Sequence, residues 1–188
     1  MYKRQYEIIL SGVGGQGMIL CGTLLAQAAI ECDDKVATLS SEYGVETRGT
    51  FAKSDLIVSD HDIGYPYVTD PDIILCLAQV AYDKYSRKTD HSILIYDSDN
   101  VAAYAGCKSE FGVPMSHIAE EIGSPASKNI LTMGIVVGIL DFLSYDGSMN
   151  AVKRFFKNKG STIIDMNLRA LSCGYNIGNS LKGLVPKN

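Results

Sequence analysis

The sequence contains no C-x-x-C, and its five cysteines, Cys21, Cys32, Cys76, Cys107 and Cys173, are odd in number and scattered. This excludes a ferredoxin-type iron–sulfur cluster or a zinc ribbon built by this chain alone. Most of the cysteines sit in apolar sequence, where the expectation is a small buried hydrophobe. His61, His91 and His117 are far apart and have no metal-ligand spacing, so no metal site is assigned. Basic runs are also missing: none exceeds a pair such as Arg87-Lys88, and 17 basic against 21 acidic residues leave a net charge of -4. Nucleic acid therefore has no electrostatic footprint to bind. The longest apolar stretch, ILTMGIVVGILDFL at 130–143, contains Asp141 and falls short of the roughly 20 residues a membrane span needs. At the N-terminus, MYKRQYEIILSGVGG is interrupted by Glu7 and closed by glycine before an export signal is complete. The expectation is a cytoplasmic protein with no membrane partner. No G-x-S-x-G surrounds Ser11, and there is no H-E-x-x-H and no carboxylate cluster, so no catalytic residue is assigned.

What is present is the balance of a folded domain, 46% hydrophobic against 20% charged over 188 residues, with no linker, repeat or low-complexity segment. Residues 1–188 read as one domain. The pattern predicts a buried strand over Tyr6 to Ser11, a helix over Met18 to Glu31 and a strand at 36–40, which together make a βαβ opening. FAKSDLIVSD at 51–60 alternates only partly, which predicts an exposed or edge strand. PDIILCLA at 71–78 and SILIYDS at 92–98 are short apolar runs, with a helix near Gln79 to Tyr85 between them. Runs apolar on both faces suit a mostly parallel sheet covered by helices. From Ser116 onward the pattern is helical. A short helix is expected with Ser116 as N-cap and Glu120 or Glu121 in its first turn. A long apolar helix follows over Lys128 to Ser144, with Gly134 and Gly138 admitting a close backbone, and then two amphipathic helices in SMNAVKRFFK and STIIDMNLRALSCGY.

Gly12, Gly14 and Gly17 in GVGGQG fit G-x-G-x-x-G between a strand and a helix, where backbone N–H groups and a helix N-terminus favour an anion. Gly12, Gly14, Gly15, Gln16 and Gly17 are therefore a candidate anion or cofactor site; the same geometry also serves simply to make the turn. A dinucleotide enzyme would want a ribose-binding acid about 20 residues beyond the loop. Position 37 is Ala37, Ser40 and Ser41 come next, and Glu42 stands late. Gln16 puts an amide into the loop, for which a turn-capping hydrogen bond is the plain expectation. The polar loop SEYGVETRG concentrates Tyr43, Glu46 and Arg48 beyond the second strand, where such folds place ligand or partner contacts. On residues alone the chain reads as a binding domain and not as a complete enzyme. An autonomous NAD(P)- or flavin-dependent oxidoreductase and a free-standing nucleotide-binding regulator stand as alternatives.

Taken together, GVGGQGMILCGTLLAQAA, SSEYGVETRGTFAKSDLIVSD, DIILCLAQVAYDKY, KNILTMGIVVG and NLRALSCGY cover nearly the whole chain. In this combination the chain resembles the gamma subunit of 2-oxoacid:ferredoxin (or acceptor) oxidoreductases, most of all the separate gamma chain of the 2-oxoglutarate enzymes. Pyruvate, 2-oxoisovalerate and indolepyruvate relatives share the motifs. The resemblance implies a Rossmann-like, three-layer αβα fold with a mostly parallel sheet and C-terminal helices. It implies a non-catalytic subunit that binds no cofactor itself. Alpha and beta subunits, with delta as a further candidate, would hold thiamine diphosphate and the iron–sulfur clusters, and the complex would make an acyl-CoA and pass electrons to ferredoxin or another acceptor. The nearest string to a thiamine motif, YDGSMN at 145–150, lacks its first glycine. The family blocks map to Gly12, Gly14, Gly15, Gln16 and Gly17, and to Tyr43, Gly44, Glu46, Arg48 and Gly49. Tyr43, Glu46, Arg48 and Gly49 become candidates for partner or coenzyme A contact. The family reads R-G-G where this chain has Arg48-Gly49-Thr50, which alters the expected turn. The family's later asparagines match Asn129 and Asn167, expected to pack or cap helices. A homo-oligomer of the isolated chain is a further candidate assembly.

Overall fold

A computed structural model describes residues 5–43, 50–87, 92–104, 109–140 and 142–182, with only the backbone of Tyr43. Its strands are β1 (Gln5–Val13), β2 (Val36–Tyr43), β3 (Phe51–Ser59), β4 (Ile73–Cys76), β5 (Ile93–Asp97) and β6 (Glu110–Val113). Its helices are α1 (Met18–Cys32), α2 (Gln79–Tyr85), α3 (Met115–Glu121), α4 (Lys128–Ile139), α5 (Tyr145–Phe156) and α6 (Ser161–Leu181). The six strands form one sheet in the order β2-β3-β1-β4-β5-β6. β3 runs antiparallel to both neighbours, while β1, β4, β5 and β6 are mutually parallel. β2 is therefore parallel to β1, as the βαβ reading requires, but β3 is inserted between them.

Side chains alternate across a strand, and the apolar runs divide accordingly. Ile8, Leu10, Leu56, Val58, Ile73, Leu75, Ile93 and Ile95 enter the main core with residues of α1, α4, α5 and α6. Ile9, Ile74, Cys76 and Leu94 face the opposite way, against Ala81, Tyr82 and Tyr85 of α2 and Val101. This is the expected αβα arrangement, with one layer much thicker than the other.

Within the thick layer, α4 and α6 meet through glycine. A carbon added at Gly134 would lie 2.8 Å from the Tyr175 nitrogen, and one at Gly138 2.8 Å from the Asn179 nitrogen. Gly174 and Gly178 face α4 in return, so the two backbones are in direct contact.

Several elements differ from the sequence reading. β3 is interior, not an edge, and most of it is buried. Its polar residues Lys53 and Asp55 pair with each other on the thinner face, 2.6 Å apart, which is why the alternation is only partial. β6 is an additional edge strand in a segment without a strong apolar run. α3 begins at Met115, not after Ser116, and Pro114 is its N-cap residue. Glu120 and Glu121 fall at the end of α3, not in its first turn. α4 ends at Ile139, earlier than Ser144, because Leu140 turns to extended backbone. Leu140 and Leu143 nonetheless stay in the core, so the apolar run outlasts the helix. No helix among the described residues is long and apolar enough to cross a membrane.

Candidate functional site

In an open α/β sheet, ligand sites lie outside the carboxyl ends of the strands where successive connections leave on opposite faces. Here that place is between β1, followed by α1 on the thick face, and β4, followed by α2 on the thin face. The glycine turn is there. Gly15 and Gly17 have positive φ, 95° and 77°, which favours glycine. The Val13 N–H donates to Gln16 Oε1 at 2.9 Å, and Gln16 Nε2 donates to the Leu77 carbonyl at 3.1 Å. The expected turn-capping bond of Gln16 is thus present, and it also ties the turn to the end of β4. Gly12 makes this possible, because a side-chain carbon there would collide with Gln16 Oε1. The Gly14 N–H is bound to the Thr50 carbonyl at 3.1 Å.

The first turn of α1 has no side-chain cap and no acidic residue, and its ladder starts with the Cys21 N–H on the Gly17 carbonyl at 3.0 Å. The earlier N–H groups are the positive end of the helix dipole. Asn129, the second residue of α4, lies on Gly17: a carbon added at Gly17 would be 3.1 Å from Asn129 Cβ and Cγ. Asn129 is buried, and its Oδ1 has no hydrogen-bond partner. Asn167 instead packs within α6, its Nδ2 donating to the Ile163 carbonyl at 2.8 Å.

A second polar centre, which the sequence reading does not single out, stands at the end of β5. Asp97 is fully buried and accepts hydrogen bonds from Ser116 Oγ (2.7 Å), Asn100 Nδ2 (2.7 Å) and the Met115 N–H (3.1 Å). Lys128 Nζ adds a charged donor at 3.1 Å, and the Ser116 and Asp99 N–H groups donate at 3.3 Å. Asp97 therefore caps α3 in place of a local residue and pins the start of α4, which carries Asn129. Burial alone would raise its pKa, but hydrogen bonds from Ser116, Asn100 and Lys128 hold the carboxyl below its ordinary value. The available signal was an aspartate closing an apolar strand, followed by Ser116 and Lys128 at helix starts.

Of the candidate residues, Gly12, Gly14, Gly15, Gln16 and Gly17 come together in this turn. The backbone of Tyr43 ends β2, while the Tyr43 side chain, Glu46, Arg48 and Gly49 lie outside the described residues. Cys107 does too. Burial pushes the Cys21 thiol up and that of Cys76 up to about 12, which keeps both protonated and unreactive. Cys32 is exposed, contrary to the general expectation for these cysteines.

The inserted β3 also bears on dinucleotide binding. The late acid, Glu42, sits on a strand one further spacing of about 4.8 Å from β1 than in a sheet where β1 and β2 are neighbours, and it already faces Lys53 at 3.5 Å. Among the described residues, the ribose contact of a dinucleotide enzyme is missing from its usual place.

Residues 7–177 match the family described as pyruvate ferredoxin/flavodoxin oxidoreductase. The chain belongs to that family. It is 36% identical over 184 residues to the 2-oxoglutarate synthase subunit KorC of Methanocaldococcus jannaschii, an alignment covering 95% of this chain and 97% of the relative. It is 31% identical to the ketoisovalerate oxidoreductase subunit VorA of Methanothermobacter thermautotrophicus, where the match covers 90% of this chain but only 36% of that longer one. Among solved structures, the keto/oxoacid ferredoxin oxidoreductase gamma subunit of Geobacter sulfurreducens superposes with a TM-score of 0.79 at 31% identity, covering 95% of this chain and 98% of that one. These relatives are subunits of oxidoreductases acting on 2-oxoacids, as the resemblance implies, and they do not support the autonomous NAD(P) or flavin alternative.

Proposed function

We propose that this chain is the non-catalytic gamma subunit of a 2-oxoacid:ferredoxin oxidoreductase, with 2-oxoglutarate as the substrate of the complex. The observation that carries the reading is the end-to-end match to two separate subunits, one of a 2-oxoglutarate synthase and one named a gamma subunit. Among the described residues there is no group of three or more His, Cys, Asp or Glu that could hold a metal. This reading assigns thiamine diphosphate and the iron–sulfur clusters to alpha and beta subunits, with delta as a further partner, in the cytoplasm.

The chain's own contribution is to position and bind. The uncapped start of α1, Gly15 and Gly17 form the kind of cradle that suits a phosphate of coenzyme A. Asn129 is placed beside it by the Asp97–Lys128 pair. Tyr43, Glu46, Arg48 and Gly49 are assigned to the partner or coenzyme A contact that follows β2.

The test is reconstitution. The isolated chain, assayed with thiamine diphosphate, coenzyme A and a viologen dye, is expected to show no turnover, and activity should appear when the alpha and beta subunits are added. Turnover by this chain alone sinks the reading. Arg48→Ala should leave the isolated fold within about 0.5 kcal/mol of wild type, yet weaken assembly or raise the KM for coenzyme A in the complex. Normal assembly and kinetics in both Arg48→Ala and Tyr43→Ala would reduce that loop to a connector.

A further inference from the structure

The sheet has two outer edges, and they are built differently. β6 has four residues and runs into Pro114, which has no N–H to offer. β2 has eight, pairs with β3 residue for residue from Val36↔Ser59 to Tyr43↔Ala52 without a bulge, and contains no lysine, arginine or proline. Its one charge, Glu42, is engaged by Lys53 within the chain. Val36 to Glu42 are all at least partly exposed. Proteins normally protect a long edge with charge, proline, a bulge or a covering element, because unpaired backbone groups recruit another strand. Among the described residues, β2 has none of these devices and nothing pairs with its outer side. Tyr65 and Tyr67, more than half exposed and stacked edge-to-face at 5.5 Å, stand beside it, with the Thr38 hydroxyl donating to the Pro66 carbonyl at 3.5 Å.

We infer that β2 pairs antiparallel with β2 of a second copy of this chain across a two-fold axis, joining the two sheets into one. An isologous contact demands a strand complementary to itself. β2 meets this demand when the axis passes through Leu39. Leu39 then lies opposite Leu39, on the face where it already packs against the main core. Thr38 lies opposite Ser40, a favourable hydroxyl pair on the other face. Ala37 faces Ser41, and Glu42 faces Val36, so no like charges meet and each Glu42 keeps its own Lys53. The exposed tyrosine pairs supply aromatic surface beside the new ladder. This inference concerns the chain by itself and does not depend on the proposed complex.

The test uses the full chain alone, by light scattering and sedimentation at concentrations up to about 100 µM. Wild type is expected to be a dimer. The double variant Thr38→Lys, Ser40→Lys sets ammonium against ammonium at partly exposed positions, and should raise the dimer dissociation constant at least about 100-fold with an unchanged circular dichroism spectrum. Thr38→Lys with Ser40→Glu sets opposite charges face to face and should restore the dimer. In a Cys32→Ser background, Leu39→Cys should cross-link on oxidation, since directly opposed residues are about 4.5–5.5 Å apart at Cα, within disulfide reach. Ala37→Cys, which does not face itself, should not. A monomeric wild type, a dimer indifferent to the double lysine variant, or cross-linking of Ala37→Cys in place of Leu39→Cys would each overturn the inference.

Discussion

The two faces of the sheet are made by the same strands, residue by alternate residue, yet they are covered unequally. One face is sealed by α1 and α3 to α6, and its strand residues include Ile8, Leu10, Leu56, Val58, Ile73, Leu75, Ile93 and Ile95. The other has α2, of seven residues, and connecting loops. There the strands of the β2–β3 side present Ser40, Glu42, Lys53 and Asp55. Lys53 bridges Asp55 and Glu42, and Lys84 Nζ lies 3.9 Å over the Phe51 ring. A cavity of about 460 Å³ opens between Ile9, Ile74, Lys53, Lys84 and Tyr85. The sealed face is where burial of apolar area stabilises the domain. The thin face tolerates charge, because a lysine can keep its ammonium near water while its carboxylate partner is buried.

The sharpest way to break this contrast is to separate α4 from α6. Gly138→Leu should cost at least about 3 kcal/mol, at or above the upper end for overpacking, because the obstacle is the α6 backbone and no rotamer can avoid it. Gly134→Ala should follow in the same direction. Gly64, where an added carbon meets nothing within 4 Å, is the control, and Gly64→Ala should stay within about 0.5 kcal/mol. Denaturant unfolding measures all three. An unchanged midpoint for Gly138→Leu would mean that the two helices are not in contact.

Those glycines were legible in the sequence because they interrupt an otherwise apolar helix at a spacing of four. The strands at Tyr6, Ile73 and Ile93, and helices α1 and α2, were legible from period and from turn residues. The place of β3 was not, since a Lys and an Asp two residues apart on one face look like solvent exposure until their mutual pairing is seen. β6 has no apolar run to announce it. The end of α4 was hidden because Leu140 and Leu143 are buried whether or not they are helical. At the site, the glycine turn could be read directly, but Asp97 could not be assigned: its partners lie on α3, on α4 and in the turn after β5, and only the fold gathers them.

That polar centre gives the second prediction, at a boundary between apolar core and polar site. Asp97→Ala removes the cap of α3 and leaves Lys128 without its carboxylate, at a cost on the order of 3 kcal/mol. The pH dependence has a definite sign. Because the folded-state pKa of Asp97 lies below its unfolded value, its contribution is complete above roughly pH 4 and is lost as the pH falls through the folded pKa. Wild type should therefore lose stability relative to Asp97→Asn as the solution is acidified below about pH 4. Parallel stability curves for the two proteins over that range would show that Asp97 carries no such linkage.

The smallest effect is expected on the thin face. Lys53→Met keeps the aliphatic stem over the sheet but leaves the Asp55 carboxylate, 4% exposed and with Oδ1 already unpaired, without its ammonium. A buried acceptor left unsatisfied costs about 1–3 kcal/mol, and the partial exposure of Lys53 places this variant at the lower end. Adding Asp55→Asn should recover most of the loss, since the charge that had to be compensated is gone and an amide brings its own donors. A double-mutant cycle separates the two possibilities. If Lys53→Met costs as much as Gly138→Leu, the thin face is as central to stability as the sealed one. If Lys53→Met and Asp55→Asn are simply additive, the pair is not coupled, and the buried aspartate is held by something other than the lysine 2.6 Å away.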